Sequence, residues 1–104
     1  MKPVVPLERA VDDIKAATDR YLVEADVDVA MRFVDAIETA FGQIGEHPGS
    51  GSTRWAFRLD LPGLRSWALR GFPYVVFYME REAQVDVWRV LHERRSVETA
   101  LGQR

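Results

Sequence analysis

The chain has 104 residues, of which 47% are apolar and 29% charged, with a formal net charge of −2. That balance fits one globular domain spanning residues 1–104 and excludes a multidomain enzyme with its own large cofactor domain. No stretch approaches the roughly 20 apolar residues that cross a bilayer, and the absence of cysteine removes disulfides, thiol nucleophiles and thiolate metal sites.

In chain order, Met1 to Pro6 lacks the pattern of a secretory signal, so a cytoplasmic location is expected. Pro3-Val4-Val5-Pro6-Leu7 is short and apolar. Its prolines cannot donate backbone bonds, which confines a strand here to the edge or rim of a sheet. Ala10, Ile14, Ala17, Tyr21 and Ala25 then follow a spacing near 3.6, with Val11 and Leu22 widening the stripe. Asp12, Asp13, Lys15, Asp19 and Arg20 fall on the solvent side of this first helix.

Asp26 and Asp28 are candidate N-caps for a second helix. Its stripe is Ala30, Phe33, Val34, Ile37, Ala40, Phe41 and Ile44, and Pro48-Gly49-Ser50-Gly51 ends it. The short link between the two predicts an antiparallel helical hairpin.

The second half changes period. Residues 54–63 read as an extended arm closed by a Leu61-Pro62-Gly63 turn. Strands are predicted at Leu64–Leu69, Tyr74–Met79 and Gln84–Leu91, with turns at Arg70–Pro73 and Glu80–Ala83. Simple alternation in the last strand puts Val85, Val87 and Leu91 on one face and Trp88 and Val90 on the other. The tail from Glu93 to Arg104 reads as a short helix ending near Gly102.

The fold class is therefore α+β in two layers, with the order β-α-α-β-β-β. An N-terminal strand and a helical hairpin precede a three-stranded antiparallel meander, and a short C-terminal helix follows. Helices on one side of so small a sheet leave its other face partly open, with Trp67 and Trp88 as candidates to occupy it.

Charge is unevenly distributed. Residues 1–53 carry five Lys/Arg and ten Asp/Glu, a net of −5, whereas residues 54–104 carry nine Arg and six acids, a net of +3. This describes either two solvated faces or an Arg-rich half that meets an anionic partner. Trp55, Trp67 and Trp88 all lie in that half, and Trp with Arg dominates protein-interface hot spots. Core filling is the plainer role for such side chains.

No standard catalytic, phosphate-cradling or metal motif occurs, and two histidines are too few for a His-based metal site. No catalytic residue, metal or cofactor is assigned. His47 beside Pro48 suits a helix C-terminus. His92, followed by Glu93-Arg94-Arg95, could act as a general acid on a phosphodiester, or simply pack at a strand end.

Taken in order, these pieces resemble a known family. They are Ala10-x-x-Asp13-Ile14 with Tyr21, Ala30-x-x-Phe33-x-x-x-Ile37, Glu46-His47-Pro48-Gly49-x-Gly51, Pro62-Gly63-Leu64-Arg65, Phe72 to Tyr78, and Trp88-Arg89-Val90-Leu91-His92-x-Arg94-Arg95. The chain resembles the ParE-type toxins of the RelE/ParE superfamily, the toxic halves of bacterial type II toxin–antitoxin pairs. It departs from the usual pattern where Pro6-Leu7 replaces a Ser or Asp cap on the first helix.

The resemblance implies a binding-type poison of DNA gyrase, more a gripping protein than an enzyme, neutralised by a ParD-like antitoxin whose disordered segment wraps around it. It implies no membrane partner and no sequence-specific nucleic-acid binding by this chain. Candidate antitoxin- or target-binding residues are Arg65, Trp67, Trp88, Arg89, His92, Arg94 and Arg95, with Arg65 and Trp88 expected on the open face. The alternative is a RelE-like, ribosome-dependent mRNA endonuclease. Such nucleases often carry an arginine in a His-Arg-Leu-Val-Tyr type strand, where this chain has the uncharged Tyr74-Val75-Val76-Phe77-Tyr78. A third reading is a decayed toxin that only sequesters antitoxin.

Overall fold

Two proline-flanked valines begin the fold as the edge strand that their missing donors require. The computed structural model describes residues 1–102. β1 (Val4–Pro6) pairs in parallel with β4 (Val85–His92), which pairs antiparallel with β3 (Tyr74–Glu80), and β3 pairs antiparallel with β2 (Leu64–Ala68). The sheet order β1-β4-β3-β2 leaves β1 and β2 at the edges. Gly63 and Gly71, at φ 92° and 83°, make the sharp backbone reversals before β2 and between β2 and β3.

α1 (Glu8–Glu24) and α2 (Val27–Glu46) form the helical hairpin. Asp26 caps α2, its Oδ1 accepting from the Val29 N–H at 2.9 Å. Ala30, Phe33, Ile37, Ala40 and Ile44 are buried as their spacing predicts, against Tyr74, Val76, Tyr78, Val85, Val87 and Val90 of the sheet. On α1 only Ala10 and Ala17 are fully buried, with Ile14 and Tyr21 packed beside them. Val11 and Leu22 stay 48% and 45% exposed, so the α1 stripe is narrower than the sequence suggests.

Three expectations are corrected. Residues 54–63 hold a helix, α3 (Arg54–Leu59), where an extended arm was expected. Trp55, Ala56 and Leu59 give it an apolar side that packs on the sheet. α3 and α4 (Val97–Leu101) cover the face opposite the hairpin, burying Leu64, Phe77, Met79, Leu91, Val97, Ala100 and Leu101. That face is therefore largely closed by the chain itself, not open.

The third correction lies in β4. The register with β3 slips between Phe77 and Tyr78: Phe77 stands opposite Arg89, but Tyr78 stands opposite Val87. Trp88 is the extra residue of this bulge. It breaks the simple alternation, so Val85, Val87 and Val90 share the hairpin side while Trp88 and Leu91 face α3 and α4.

The C-terminal helix ends at Gly102 as expected, with Ser96 as its N-cap. The last two residues of the predicted tail lie outside the described ones. No helix among the described residues is long and apolar enough to cross a membrane.

Candidate functional site

One cavity is a groove of about 700 Å³ between α2 and the edge strand β2. Arg32, Asp35 and Gln43 line its α2 side, which is the polar flank of that helix beside the buried Phe33–Ile44 row. Trp67 and Arg70 line its β2 side, and Ser50–Ser52 close one end. Ser52 pairs with Ser66 through two backbone bonds of 2.9 and 3.0 Å, so this loop borders the edge strand.

The loop is fastened from below. The Tyr78 hydroxyl donates to the Pro48 carbonyl at 2.8 Å and accepts from the Gly51 N–H at 3.0 Å. Arg65 Nη1 donates to the Gly51 carbonyl at 2.8 Å. Arg65 stands opposite Tyr78 and Trp67 opposite Val76, so both project toward the helical hairpin. The expectation that Arg65 lines the opposite face is thereby corrected: its guanidinium holds the groove's rim. Trp67 likewise packs against the hairpin-side core.

Burial of Tyr78 raises its pKa above the ordinary phenol value, against smaller opposing effects of the Gly51 N–H and Arg65. Burial, followed by nearby Tyr74, also raises Tyr21. A raised folded-state value means that both phenols contribute stability in full below the unfolded pKa, and lose it as pH climbs through the folded pKa. Tyr78→Phe is therefore expected to flatten the alkaline decline of stability, leaving the Tyr21 part. Denaturant melts at neutral and alkaline pH measure it; an unchanged decline would disprove the contribution of Tyr78.

A second cleft of about 390 Å³ lies between the N-terminal turn of α1, the β4 bulge and α4. Leu7, Arg9, Trp88, Arg89 and Leu101 line it. The bulge turns Trp88 toward this cleft and sets Arg89 beside α1. There Arg89 Nε and Nη2 donate to the two carboxylate oxygens of Asp13 at 2.7 and 2.9 Å. Asp13 Oδ2 also accepts from the Val90 N–H at 3.0 Å, continuing along β4 where β1 has ended. The hydrogen bond to Asp13 raises the Arg89 pKa, partly offset by burial. Asp13, assigned by sequence to the solvent side, is thus a largely buried member of the core-facing row.

His92 ends β4, and Arg94 and Arg95 occupy the turn after it. The His92 ring meets Tyr74 edge-on at 5.2 Å, and its Nδ1 accepts from the Arg94 N–H at 3.1 Å. Arg94 and Arg95 are exposed. His47 is the C-cap of α2.

The seven sequence-predicted residues therefore fall in three places: Arg65 and Trp67 at the groove, Trp88 and Arg89 at the cleft, and the remaining three at the end of β4 and the turn after it. Sequence reasoning missed Arg32, Asp35 and Arg70 at the groove and Leu7 and Arg9 at the cleft. The polar flank of α2 was legible, but nothing local places it across from β2. No group of His, Asp and Glu among the described residues could hold a metal ion. What these clefts offer is recognition chemistry: aromatic walls with guanidiniums at the rim.

A family model described as the ParE toxin of type II toxin–antitoxin system, parDE, matches residues 4–97. The chain belongs to the ParE toxin family. A chain from a solved structure titled "Chromosomal ParDE TA system from P. aeruginosa" superposes with a TM-score of 0.74 at 19% identity. That superposition covers 88% of this chain and 96% of the other, a likeness that establishes the fold. By sequence, no curated protein matches. The ParE match takes in the groove, the Tyr78 clamp and the Asp13–Arg89 pair, while Leu101 of the second cleft lies beyond it.

Proposed function

We propose that this ParE-family toxin acts in the cytoplasm by gripping DNA gyrase and stalling it on cleaved DNA, and that a ParD-like antitoxin neutralises it. The observation that carries the reading is the pairing of Trp67 with Arg32 and Arg70 at the groove, and of Trp88 with Arg9 at the cleft. Both suit an amphipathic, acidic segment that folds as it binds. Trp67 and Trp88 are its contact residues. Arg65 and Arg89 act behind them as positioning residues, and Arg94 and Arg95 are free to meet either partner.

Two features favour gripping over RNA cleavage. The strand where a RelE-like nuclease carries its arginine is the apolar β3, with Val76, Phe77 and Tyr78 buried. The Nδ1 of His92 is occupied by a backbone N–H, and its ring packs edge-on against Tyr74.

Purified toxin is expected to accumulate gyrase–DNA cleavage complexes and inhibit supercoiling. Absence of any effect at stoichiometric excess would reject gyrase as the target. Ribosomal mRNA cuts that vanish in His92→Ala would support the nuclease instead.

A further inference from the structure

α3 is a helix of six residues, too short to persist without packing. Trp55, Ala56 and Leu59 supply that packing on the sheet. The opposite side carries Arg54, Phe57 and Arg58, whose i, i+3, i+4 spacing places them on one face. A solvated face of so short a helix has no need of an aromatic, yet Phe57 is 87% exposed, unlike any other aromatic side chain described.

The two arginines are also unusual. The guanidinium carbons of Arg54 and Arg58 lie 5.4 and 5.1 Å from the centroid of the same Trp55 ring. Two like charges are thus drawn to one aromatic ring. Among the described residues no carboxylate comes within 4.0 Å of either to neutralise them. They form a positive pair gathered over Trp55, to one side of the protruding Phe57.

From this we infer that the outer face of α3 is a target-gripping surface, in which Phe57 enters an apolar pocket on a folded protein and Arg54 and Arg58 meet carboxylates at that pocket's rim. The shape favours a folded protein over a nucleic acid. A single convex knob fits a cavity, whereas strands of nucleic acid are held in basic grooves with several stacking platforms. The charge agrees: a net of −2 repels a polyanion at long range, but a local arginine pair suffices for a few rim carboxylates. The inference rests on the proposal that the toxin acts by gripping a protein target. It adds the surface, which is distinct from the groove and cleft assigned to the antitoxin.

The test compares the full-length wild type with Phe57→Ser and with the double variant Arg54→Glu/Arg58→Glu. Gyrase cleavage-complex formation, growth arrest on expression, and calorimetric affinity for the cognate antitoxin are measured on each. Both variants are expected to keep their circular dichroism and antitoxin affinity. Each should lose about 30-fold or more in gyrase potency, the cost of truncating a hot-spot anchor.

Wild-type potency in both variants would overturn the inference while leaving the gyrase reading intact. If wild type does not touch gyrase, the gyrase reading fails and growth arrest decides. Arrest lost in the variants, with antitoxin capture retained, supports this face against another protein target; arrest retained overturns it. A wild type inactive in both assays overturns both. Binding of a labelled oligothymidine strand that depends on Arg54 and Arg58 would replace the protein partner with nucleic acid, and so also overturn it.

Discussion

Asp13→Ala is expected to destabilise the fold by about 3–5 kcal/mol, the cost of leaving a buried charge without its partner. The Asp13 carboxylate satisfies three donors from β4: Arg89 Nε, Arg89 Nη2 and the Val90 N–H. The side chains of Arg89 and Asp13 are 10% and 11% exposed, so water cannot replace the lost acceptor without opening the interface between α1 and β4. Against a typical total stability of about 5–15 kcal/mol, this is a large share. Chemical denaturation should show a lower midpoint with an unchanged slope. A loss below about 1 kcal/mol would mean the pair is not holding the layers together.

Graded substitutions separate the charge from the backbone bond. Asp13→Asn keeps an acceptor for Val90 and should cost less than Asp13→Ala. The double variant Asp13→Leu/Arg89→Met removes both charges together. It should also cost less than Asp13→Ala, since only the Val90 N–H is left unpaired. The pH dependence has a defined sign. Asp13 raises the Arg89 pKa above its ordinary value, so the guanidinium's contribution is complete below the unfolded pKa and is lost only as pH rises through the raised value. Across neutral pH its contribution should therefore not vary.

The sequence made the long periodic elements legible. α2 carries five buried positions at regular spacing, and the prolines around Val4 and Val5 announce an edge strand. Shorter or non-local features escaped for physical reasons. Six residues span fewer than two helical turns, too little period to distinguish α3 from an arm, and its outward Arg54, Phe57 and Arg58 masked the inward Trp55 and Leu59. A bulge adds one residue without any change of composition, so alternation read straight through β4 placed Leu91 and Val90 on the wrong faces. Asp13 lies three residues after Ala10 and four before Ala17, on the buried row, but charge suggested solvent. Its partner Arg89 is 76 residues away.

Of the site, residue types were legible and grouping was not. Tryptophans and arginines marked the recognition half, yet α2 and the loop at Ser50–Ser52 complete the groove from the acidic half of the sequence, which has no tryptophan. Tyr78 read as a core aromatic, which it is. Its second task, tying down Pro48 and Gly51, depends on backbone atoms 30 and 27 residues away that no side-chain pattern reveals.

That clamp makes Gly51→Ala the other large expected effect. Gly51 has φ −68° and ψ 157°, extended values open to any residue, so the requirement is for space and not for conformational freedom. A Cβ there would lie 2.9 Å from Tyr78 Cζ and 3.0 Å from the Ser66 carbonyl, and would collide with the Tyr78 hydroxyl. Tyr78 is fully buried and has no room to retreat. The loop must therefore lift, loosening the Tyr78, Arg65 and Ser52–Ser66 bonds together, at a cost of about 3 kcal/mol. Gly49→Ala, with nothing within 4 Å of its Cβ, should stay within about 0.5 kcal/mol of wild type. Because Phe lacks the colliding hydroxyl, Gly51→Ala in a Tyr78→Phe background should cost at least about 1 kcal/mol less than in the wild type. Equal costs in the two backgrounds would show that the glycine is not there to admit the tyrosine. Since the same loop closes one end of the groove beside Trp67, Gly51→Ala should also weaken antitoxin capture at temperatures where the variant is fully folded, whereas Gly49→Ala should not.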